Sequence, residues 1–338
     1  MIWPSAFIDL AAVEAWDAWF RWRQHDELRD VSIQDTWTRV AHALAGAESP
    51  EQAGAFELRL FEAMEGWRLL LDERVLATAG TDRPDWPDDD LVAVVNLASL
   101  VREPGQAEAC LDHAGLESTA ELAVVALDNA AALAVPRIGP PAMHLRIGLI
   151  GLADAMVLLG YRYDSSDSRR LAREVARGLA HGCLRGSLRL ARERGARARL
   201  DEHPALGDKL RGMSADMAAE AAASGVRHAR LTAITSQPRL AQLANHVSDA
   251  IDPLAVRDDA PAAPGAPTRL PGSPGFALEI LRRQGLSTSQ LNASMTDATA
   301  STQAQVELRV AMQAWIDHPI AYPLPAHGAP GQRVPLDS

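Results

Sequence analysis

Cysteine is scarce in this chain, in which only Cys110 and Cys183 among 338 residues carry thiols. Two thiols are too few for a network of disulfides, and they do not form the CxxC pair that would indicate a zinc or redox site. The same scarcity is typical of proteins of the reducing cytoplasm, where we expect this chain to reside. Both thiols are predicted to be buried and inert.

Long apolar runs are missing as well. No stretch reaches the roughly 18 residues that suggest a membrane-spanning helix, and the N-terminal segment carries Asp9, Glu14 and Asp17 in place of the basic start of a signal peptide. The formal net charge of −11 is opposite in sign to that of a phosphate-binding surface. We therefore predict that neither a membrane nor a nucleic acid is a partner.

Motifs for metal binding and for nucleophilic catalysis are also lacking. The ten histidines include no HExxH pair; His42 is isolated, and His144 stands just before a predicted helix. The acidic run from Asp88 to Asp90 allows two interpretations, a site for a hard cation or a solvated turn that stabilises a helix N-terminus. No GxSxG motif is present, so the residue pattern predicts no catalytic residue and no metal ligand.

The sequence does have a helical pattern. Alanine and leucine abound, whereas alternating β-branched runs are rare. Trp16, Trp19 and Phe20 share one face of an amphipathic N-terminal helix, and Ser32 is a suitable cap for the next helix. Helices are predicted at 8–24, 33–46, 51–70, 91–101, 117–134, 144–160, 166–194, 206–224 and 300–317, and short extended pieces only at 74–78 and 229–234.

Proline marks the clearest boundary in the chain. The stretch 256–275 contains five prolines and little that can be buried, which predicts a flexible linker. The predicted organisation is an N-terminal Trp-rich helix (1–30), a helical domain (31–255), the Pro-rich linker (256–275), a C-terminal helical segment (276–325) and a frayed tail (326–338).

Two further features have a functional and a structural interpretation. Residues 169–199 contain ten arginines, which form either an anion-binding surface or the exposed basic face of a long helix that offsets the acidic remainder. Gly148, Gly151 and Gly160 lie in or at the end of a predicted helical segment. Close helix packing therefore explains them better than a dinucleotide-binding loop, which lies between a strand and a helix.

The block LRIGLIGLADAMVLLGYRYDS (145–165) is the most distinctive in the chain. It is similar to the pattern R-R-I-G-L-G-x-x-G-L-A-D…L-G-x-x-Y-D-S of the large (catalytic) subunit of ribonucleotide reductase, especially the adenosylcobalamin-dependent class. The block in this chain is two residues shorter in the middle than the family pattern. Other blocks resemble the same family in the same order: 32–48, 61–81, 96–101, 126–130, 187–196, 225–242, 250–253 and 306–325.

The resemblance suggests four residues as contacts to a substrate. Residues 61–81 end in a pattern similar to the family's G-R-x-L-x-x-A-G-T, in which Arg74, Gly80 and Thr81 match while Glu73 replaces a glycine. Asn96 matches the asparagine of the family's G-S-I-N-L. The candidates for substrate binding are therefore Arg74, Gly80, Thr81 and Asn96.

The family's chemistry, in contrast, is not matched. As the resemblance implies it, the reaction needs a cysteine that carries a thiyl radical, two further cysteines that supply electrons and a glutamate that moves protons. A chain with two cysteines cannot provide three thiols, and the family's N-x-C-x-E loop is absent. If residues 77–81 are instead placed against that loop, Ala79 stands at its cysteine position and Thr81 at its glutamate position. The family's phosphate-holding P-T-G-T-I-S loop reads TSQPRLAQ (235–242) and lacks the glycine that lets backbone N–H groups crowd an anion.

The order of the blocks also implies a deletion, because residues 79–81 are followed almost at once by a block that lies far downstream in the family. We therefore expect a mainly α fold, the helical scaffold of a ribonucleotide reductase large subunit with most of the central α/β barrel missing.

The leading hypothesis is a catalytically inactive paralogue that acts as a scaffold, interaction or regulatory protein, pairs with an intact reductase subunit or with itself, and needs no cofactor. The alternative is a ribonucleoside-diphosphate reductase-type oxidoreductase, or another nucleotide-binding enzyme with a non-standard site. Adenosylcobalamin is expected only if the family activity is retained. A decaying gene product without function is the third hypothesis.

Overall fold

The computed structural model describes residues 7–25, 27–134, 144–197, 212–254, 275–285 and 301–324. The helices in these ranges are α1 (Leu10–Trp19), α2 (Ile33–Ala45), α3 (Pro50–Glu65), α4 (Glu73–Thr78), α5 (His113–Leu133), α6 (Leu152–Leu158), α7 (Ser166–Arg194), α8 (Ala215–Ser224), α9 (Pro238–Leu243), α10 (Phe276–Arg283) and α11 (Thr302–Gln313). The strands are β1 (Arg23–Gln24), β2 (Glu27–Leu28), β3 (Leu69–Leu71), β4 (Val92–Asn96), β5 (Val101–Arg102), β6 (Cys110–Leu111), β7 (His144–Ile150) and β8 (Arg230–Thr232).

A four-stranded sheet in the order β3-β4-β7-β8 organises the fold. β4, β7 and β8 run parallel, and β3 is antiparallel to β4. Because α5 connects β4 to β7 and α7 connects β7 to β8, the chain from β4 to β8 forms two successive β–α–β crossovers. The β1-β2 and β5-β6 pairs form separate two-stranded ribbons.

The expectation of a mainly α fold with most of its barrel missing is wrong. The fold is mixed α/β, and within the described ranges its central sheet does not close into a barrel. The segments 91–101 and 144–160, predicted as helices, contain the strands β4 and β7. Most residues of both strands are buried, so apolar residues follow one another without alternation, and periodicity cannot separate such strands from short helices.

The opposite error occurred at 74–78, where an extended piece was predicted and α4 is found. Asp72 starts this helix, because its carboxylate accepts a hydrogen bond from the backbone N–H of Arg74 at 3.0 Å. The extended piece at 229–234 is confirmed by β8, and the helices at 33–46, 117–134 and 166–194 are confirmed by α2, α5 and α7.

Helices α5 and α7 pack against each other unusually closely. A Cβ atom added to Gly182 of α7 would lie 2.2 Å from the carbonyl oxygen of Glu117 in α5, and one added to Gly186 would lie 2.9 Å from Cβ of Val124. Gly178, one turn earlier, also faces α5. Three glycines spaced four residues apart in α7 therefore set the distance between the two crossover helices.

The interpretation of Gly148 and Gly151 as helix-packing residues is wrong. Gly148 lies inside β7, where an added Cβ would come within 2.5 Å of the carbonyl oxygen of Ala233. Gly151 stands between β7 and α6 in the left-handed conformation, with φ of +74°. Both positions exclude a side chain for reasons of strand packing and backbone conformation.

One large hydrophobic core contains side chains from most of the described chain, and a smaller cluster of Leu184, Leu188, Ala221 and Val226 joins α7 to α8 and the segment after it. Trp16 of α1 is 5 % exposed and its indole N–H donates to Oγ1 of Thr36 at 2.9 Å, so the Trp-rich N-terminal helix packs into the large core. Phe276 and Leu308, from α10 and α11, pack into it as well. The division into segments stays a prediction, and the linker and tail lie almost entirely outside the described residues.

Candidate functional site

Loops with polar side chains gather where the three parallel strands end. Asn96 is the last residue of β4, Gly151 follows β7, and residues 235–237 follow β8. Ligands of open α/β sheets bind at this carboxyl edge, because the loops that follow neighbouring parallel strands meet there. We therefore take the carboxyl edge as the candidate site.

Asn96 is completely buried at this edge. Its Oδ1 accepts a hydrogen bond from the backbone N–H of Ala98 at 3.2 Å, while its Nδ2 has no hydrogen-bond partner. A Cβ atom on Gly151 would lie 2.7 Å from the same Oδ1. Glycine at 151 thus lets the loops after β4 and β7 approach each other around the asparagine.

Asp154 joins this edge to two further segments. It is completely buried at the start of α6, and its carboxylate accepts the backbone N–H of Ser248 at 2.5 Å and that of Ala277 at 3.0 Å. Ser248 in turn accepts the backbone N–H of Gly151 on its carbonyl oxygen at 2.8 Å. Burial raises the pKa of Asp154, so the carboxyl group serves to hold the backbone rather than to face solvent.

Asp249 accepts hydrogen bonds from the polar groups of the loop after β8. Its carboxylate accepts the hydroxyl of Ser236 at 2.5 Å and the backbone N–H of Gln237 at 2.6 Å. Burial raises the pKa of Asp249 more than these hydrogen bonds lower it. An anion from solution would have to displace this carboxylate to reach either group.

The C-terminal segment closes the same region from another side. The hydroxyl of Tyr322 donates to the carboxylate of Asp252 at 3.0 Å, and Tyr163 donates to the carbonyl oxygen of Ile251 at 2.7 Å. The guanidinium of Arg309 lies 4.1 Å from the centre of the Tyr322 ring. Burial raises the pKa of Asp252 to about 6, so this carboxyl group changes charge within one unit of neutral pH.

The four substrate-binding candidates do not come together. Asn96 lies at the carboxyl edge, but Arg74 lies near the other end of the sheet, where Asp72 accepts the backbone N–H of Val92 at the start of β4. Arg74 pairs with this same Asp72, with 3.1 Å between its Nε and the carboxylate. β3 runs antiparallel to β4, so α4, which follows β3, lies at the end of the sheet where β4 begins.

Gly80 and Thr81 have local structural roles. Gly80 has φ of +74°, and an added Cβ would lie 2.8 Å from Cγ of Arg39. The hydroxyl of Thr81 donates to the carbonyl oxygen of Thr78 and accepts the N–H of Arg83, which forms a tight turn after α4. These contacts account for both residues without a ligand.

The sequence did not indicate Asp154, Ser248 or Asp249 as residues of the carboxyl edge. All three lie in or just beside blocks that resemble the family, at 145–165 and 250–253, and a predicted strand ending at Ile150 would have pointed to the first turn of α6, which contains Asp154. This signal is hidden, because the buried apolar run of β7 has no alternation that separates it from a helix. No pattern in the sequence indicates that Asp249 contacts the loop at 236–237.

The two cysteines differ in exposure. Cys183 is buried in α7, as predicted, but Cys110 on β6 is exposed, so the prediction of two buried thiols is wrong for Cys110. β6 is a short edge strand, and the register partner of Cys110 on β5 is Arg102. A two-residue edge strand leaves one side of each residue open to solvent.

The arginine-rich helix α7 forms ion pairs along its length. Arg185 and Arg189 contact Glu121 of α5, at 3.3 and 3.2 Å, and Arg192 contacts Glu220 of α8 at 2.5 Å. These pairs support the structural interpretation of the basic stretch. In the described ranges no cluster of three or more potential ligands is placed to hold a metal ion, and no helix is both long and apolar enough to cross a membrane.

A buried ionic cluster lies between α5, the end of α7 and the segment before β8. The carboxylate of Asp128 contacts Arg194 at 2.7 Å, Arg227 at 3.0 Å and Nε2 of His228 at 3.2 Å. Burial alone would raise the pKa of Asp128, but the hydrogen bonds and charges of His228 and Arg227 outweigh it and hold the pKa well below its ordinary value. The cluster joins α5 to the end of α7 and to the segment before β8.

The fold and this edge define an α/β protein whose parallel strands are linked by long crossover helices. The family model described as ribonucleotide reductase, barrel domain, matches residues 87–257, which is half of the chain. The chain therefore belongs to the ribonucleotide reductase barrel-domain family. Among curated proteins none matches the chain.

Proposed function

We propose that this protein is a non-catalytic member of its family that acts as a scaffold or regulatory partner of an intact ribonucleotide reductase subunit or of a second copy of itself. The observation that carries the proposal is the position of Asp249. The loop after β8 resembles the loop that holds substrate phosphate in the family, and here its Ser236 hydroxyl and Gln237 N–H are bound to the chain's own carboxylate.

The thiols support the same conclusion. The family reaction, as the resemblance implies it, needs three cysteines at one site, and this chain has two. Cys183 is completely buried in α7, and Cys110 is on the surface ribbon β5-β6. Two such thiols cannot supply both a radical and a pair of electrons to one substrate.

The residues also do not fit the use of adenosylcobalamin. The family's cofactor acts on a cysteine, and the family's N-x-C-x-E loop is absent from this chain. If residues 77–81 are placed against that loop, the cysteine position holds Ala79, which is completely buried. The carbonyl oxygen of Ala79 accepts a hydrogen bond from the guanidinium of Arg39. A buried methyl group next to this contact offers no thiol, so no reaction step is assigned to the cofactor.

The catalytic half of the proposal is tested with the full-length protein. Ribonucleoside di- and triphosphates are incubated with dithiothreitol, with and without adenosylcobalamin, and deoxyribonucleotides are measured by liquid chromatography. An active adenosylcobalamin-dependent reductase serves as the positive control. We expect no product above background, and turnover of any ribonucleotide would contradict the proposal.

Binding is tested separately, because a ligand that binds only the folded state raises the melting temperature. We expect no shift for the wild type with saturating nucleoside diphosphate. The variant Asp249→Ala, which frees Ser236 and Gln237, is the matched comparison. A shift for the wild type equal to that for the variant would show that Asp249 does not block the loop.

The scaffold half of the proposal is tested by sedimentation velocity. The protein is analysed alone over a range of concentrations and then together with a purified intact reductase large subunit. We expect either self-association or a mixed complex. A monomer that binds neither itself nor the reductase subunit would contradict this half, whatever the result of the activity assay.

A further inference from the structure

The segment that follows α11 covers the outer edge of the central sheet. β8 is the last strand in the order β3-β4-β7-β8, and residues 315–322, which we call the strap, lie along its outer side. The carboxylate of Asp317 accepts the backbone N–H groups of Leu231 and Thr232 at 2.8 and 3.0 Å. The N–H of His318 donates to the carbonyl oxygen of Thr232 at 3.1 Å. The strap therefore takes the place of a further strand and shields backbone groups with which another chain would pair.

The far end of the strap is fastened to a carboxyl group of the loop that precedes it in space. The hydroxyl of Tyr322 donates to Asp252 at 3.0 Å, and the other ionisable groups around this carboxyl group are Arg309 at 3.7 Å, Asp249 and Tyr163. Burial raises the pKa of Asp252 to about 6. Opening of the strap exposes the carboxyl group to water, where its pKa is about 3.9. The ionised form of Asp252 therefore favours the open strap.

A second titratable group lies at the near end of the strap. The Nε2 atom of His318 is buried and has no hydrogen-bond partner among the described residues. The charges that act on this imidazole come from Arg146 of β7, Arg230 of β8, Asp317 of the strap and Asp90 before β4. Burial lowers the pKa of His318, and the two arginines lower it further. The protonated imidazole therefore also favours the open strap, in which it is hydrated.

We propose that the strap opens from β8 as a unit under the control of ionisation at its two ends, Asp252 and His318, and so acts as a pH-sensitive cover of this sheet edge. The two ends respond to pH with opposite signs. Ionisation of Asp252 increases opening as the pH rises from about 4 to about 6, and the effect is constant at higher pH. Protonation of His318 increases opening as the pH falls below about 6.5. With a pKa of about 6 in the closed state and about 3.9 in the open state, Asp252 alone makes opening about tenfold more frequent at pH 7 than at pH 5.

The proposal is tested by amide hydrogen exchange of the full-length protein between pH 5 and pH 7, with rates converted to protection factors. The reporters are the backbone N–H groups at positions 231, 232 and 318, which bridge the strap and β8. The N–H groups in the buried middle of α5 are the reference for global unfolding. We expect the reporters to be less protected than the reference, because the strap opens without unfolding the core. Equal protection of reporters and reference at every pH would overturn the proposal.

Two variants separate the ends of the strap. In His318→Gln only Asp252 titrates, so the protection of the reporters should fall about tenfold from pH 5 to pH 7. In Asp252→Asn only His318 titrates, so their protection should instead fall as the pH is lowered from 7 to 5. The double variant should show neither trend, and Glu27→Gln, which changes an exposed pair with Arg29, should behave as the wild type. The same direction of the trend in both single variants, or a trend that persists in the double variant, would overturn the proposal.

Discussion

The buried cluster around Asp128 makes a sharp test of how the crossover helices are held. The substitution Asp128→Asn keeps the size of the side chain and removes its charge. Arg194, Arg227 and His228 all direct N–H groups at this carboxylate. An amide has one oxygen for these three donors, and its own NH2 group must face at least one of them.

The loss in free energy of unfolding depends on the contacts that the partners of Asp128 retain. Breaking a buried ion pair by removing one partner costs about 3–5 kcal/mol. Arg194 keeps a contact with Glu48 at 2.8 Å, and Arg227 keeps hydrogen bonds to the carbonyl oxygens of Arg194 and Gly195 at 3.0 Å. We therefore expect the lower end of the range, about 3 kcal/mol. At about 2 °C per kcal/mol this is a fall of about 6 °C in melting temperature.

Urea unfolding followed by circular dichroism measures this loss, and Asp164→Asn is the control. Asp164 pairs with Arg162 on the surface, at 3.2 Å with both side chains about half exposed, so its loss should cost less than about 0.5 kcal/mol. A cost below about 1 kcal/mol for Asp128→Asn would refute the reasoning. Because the pKa of Asp128 is lowered in the folded protein, its stabilisation is present above pH of about 4 and declines as the pH falls below that value.

Three further substitutions test the packing and the C-terminal contact. Gly182→Ala should cost about 2–3 kcal/mol in urea unfolding, since its Cβ would lie 2.2 Å from the carbonyl oxygen of Glu117; equal stability would contradict the close approach of α5 and α7. Gly54→Ala, with no neighbour within 4 Å on α3, should instead stabilise by about 0.5–1 kcal/mol. Asp252→Asn keeps an acceptor for the Tyr322 hydroxyl and should stabilise by about 1 kcal/mol at pH 7.5. Burial raises the pKa of Asp252 to about 6, so this advantage should shrink as the pH falls from 6 to 4; a constant advantage across that range would contradict the assignment.

The sequence predicted the elements whose pattern is long and amphipathic. Helix α7 has 29 residues with buried positions at helical spacing, and α2 begins with a capping box at Ser32 and Asp35. The strands β4 and β7 could not be predicted in the same way. Val92–Asn96 and His144–Ile150 are short and mostly buried, and a short run of apolar residues has the same appearance in a strand and in a helix.

The site was harder to predict than the fold. The resemblance grouped Arg74 with Asn96 because both lie in matching blocks, but the antiparallel pairing of β3 with β4 places them near opposite ends of the sheet. The contact of Asp249 with Ser236 and Gln237 depends on a loop that turns back after α9. Such a contact is set by tertiary folding and leaves no periodic or spacing signal in the chain.

The family match and the structure together show how the loop after β8 is stabilised by contacts within the chain. Residues 87–257 include both crossovers, from β4 to β8, and the loop that ends in Asp249 and Asp252. A loop that awaits a phosphate must keep its N–H groups available to solvent, which gives the folded chain no stability by itself. Here the N–H of Gln237 is hydrogen bonded to Asp249 inside the chain, so this N–H group has a partner without a ligand. Substituting Asp249 should therefore destabilise this protein, whereas in a nucleotide-binding relative the same contact would compete with the substrate.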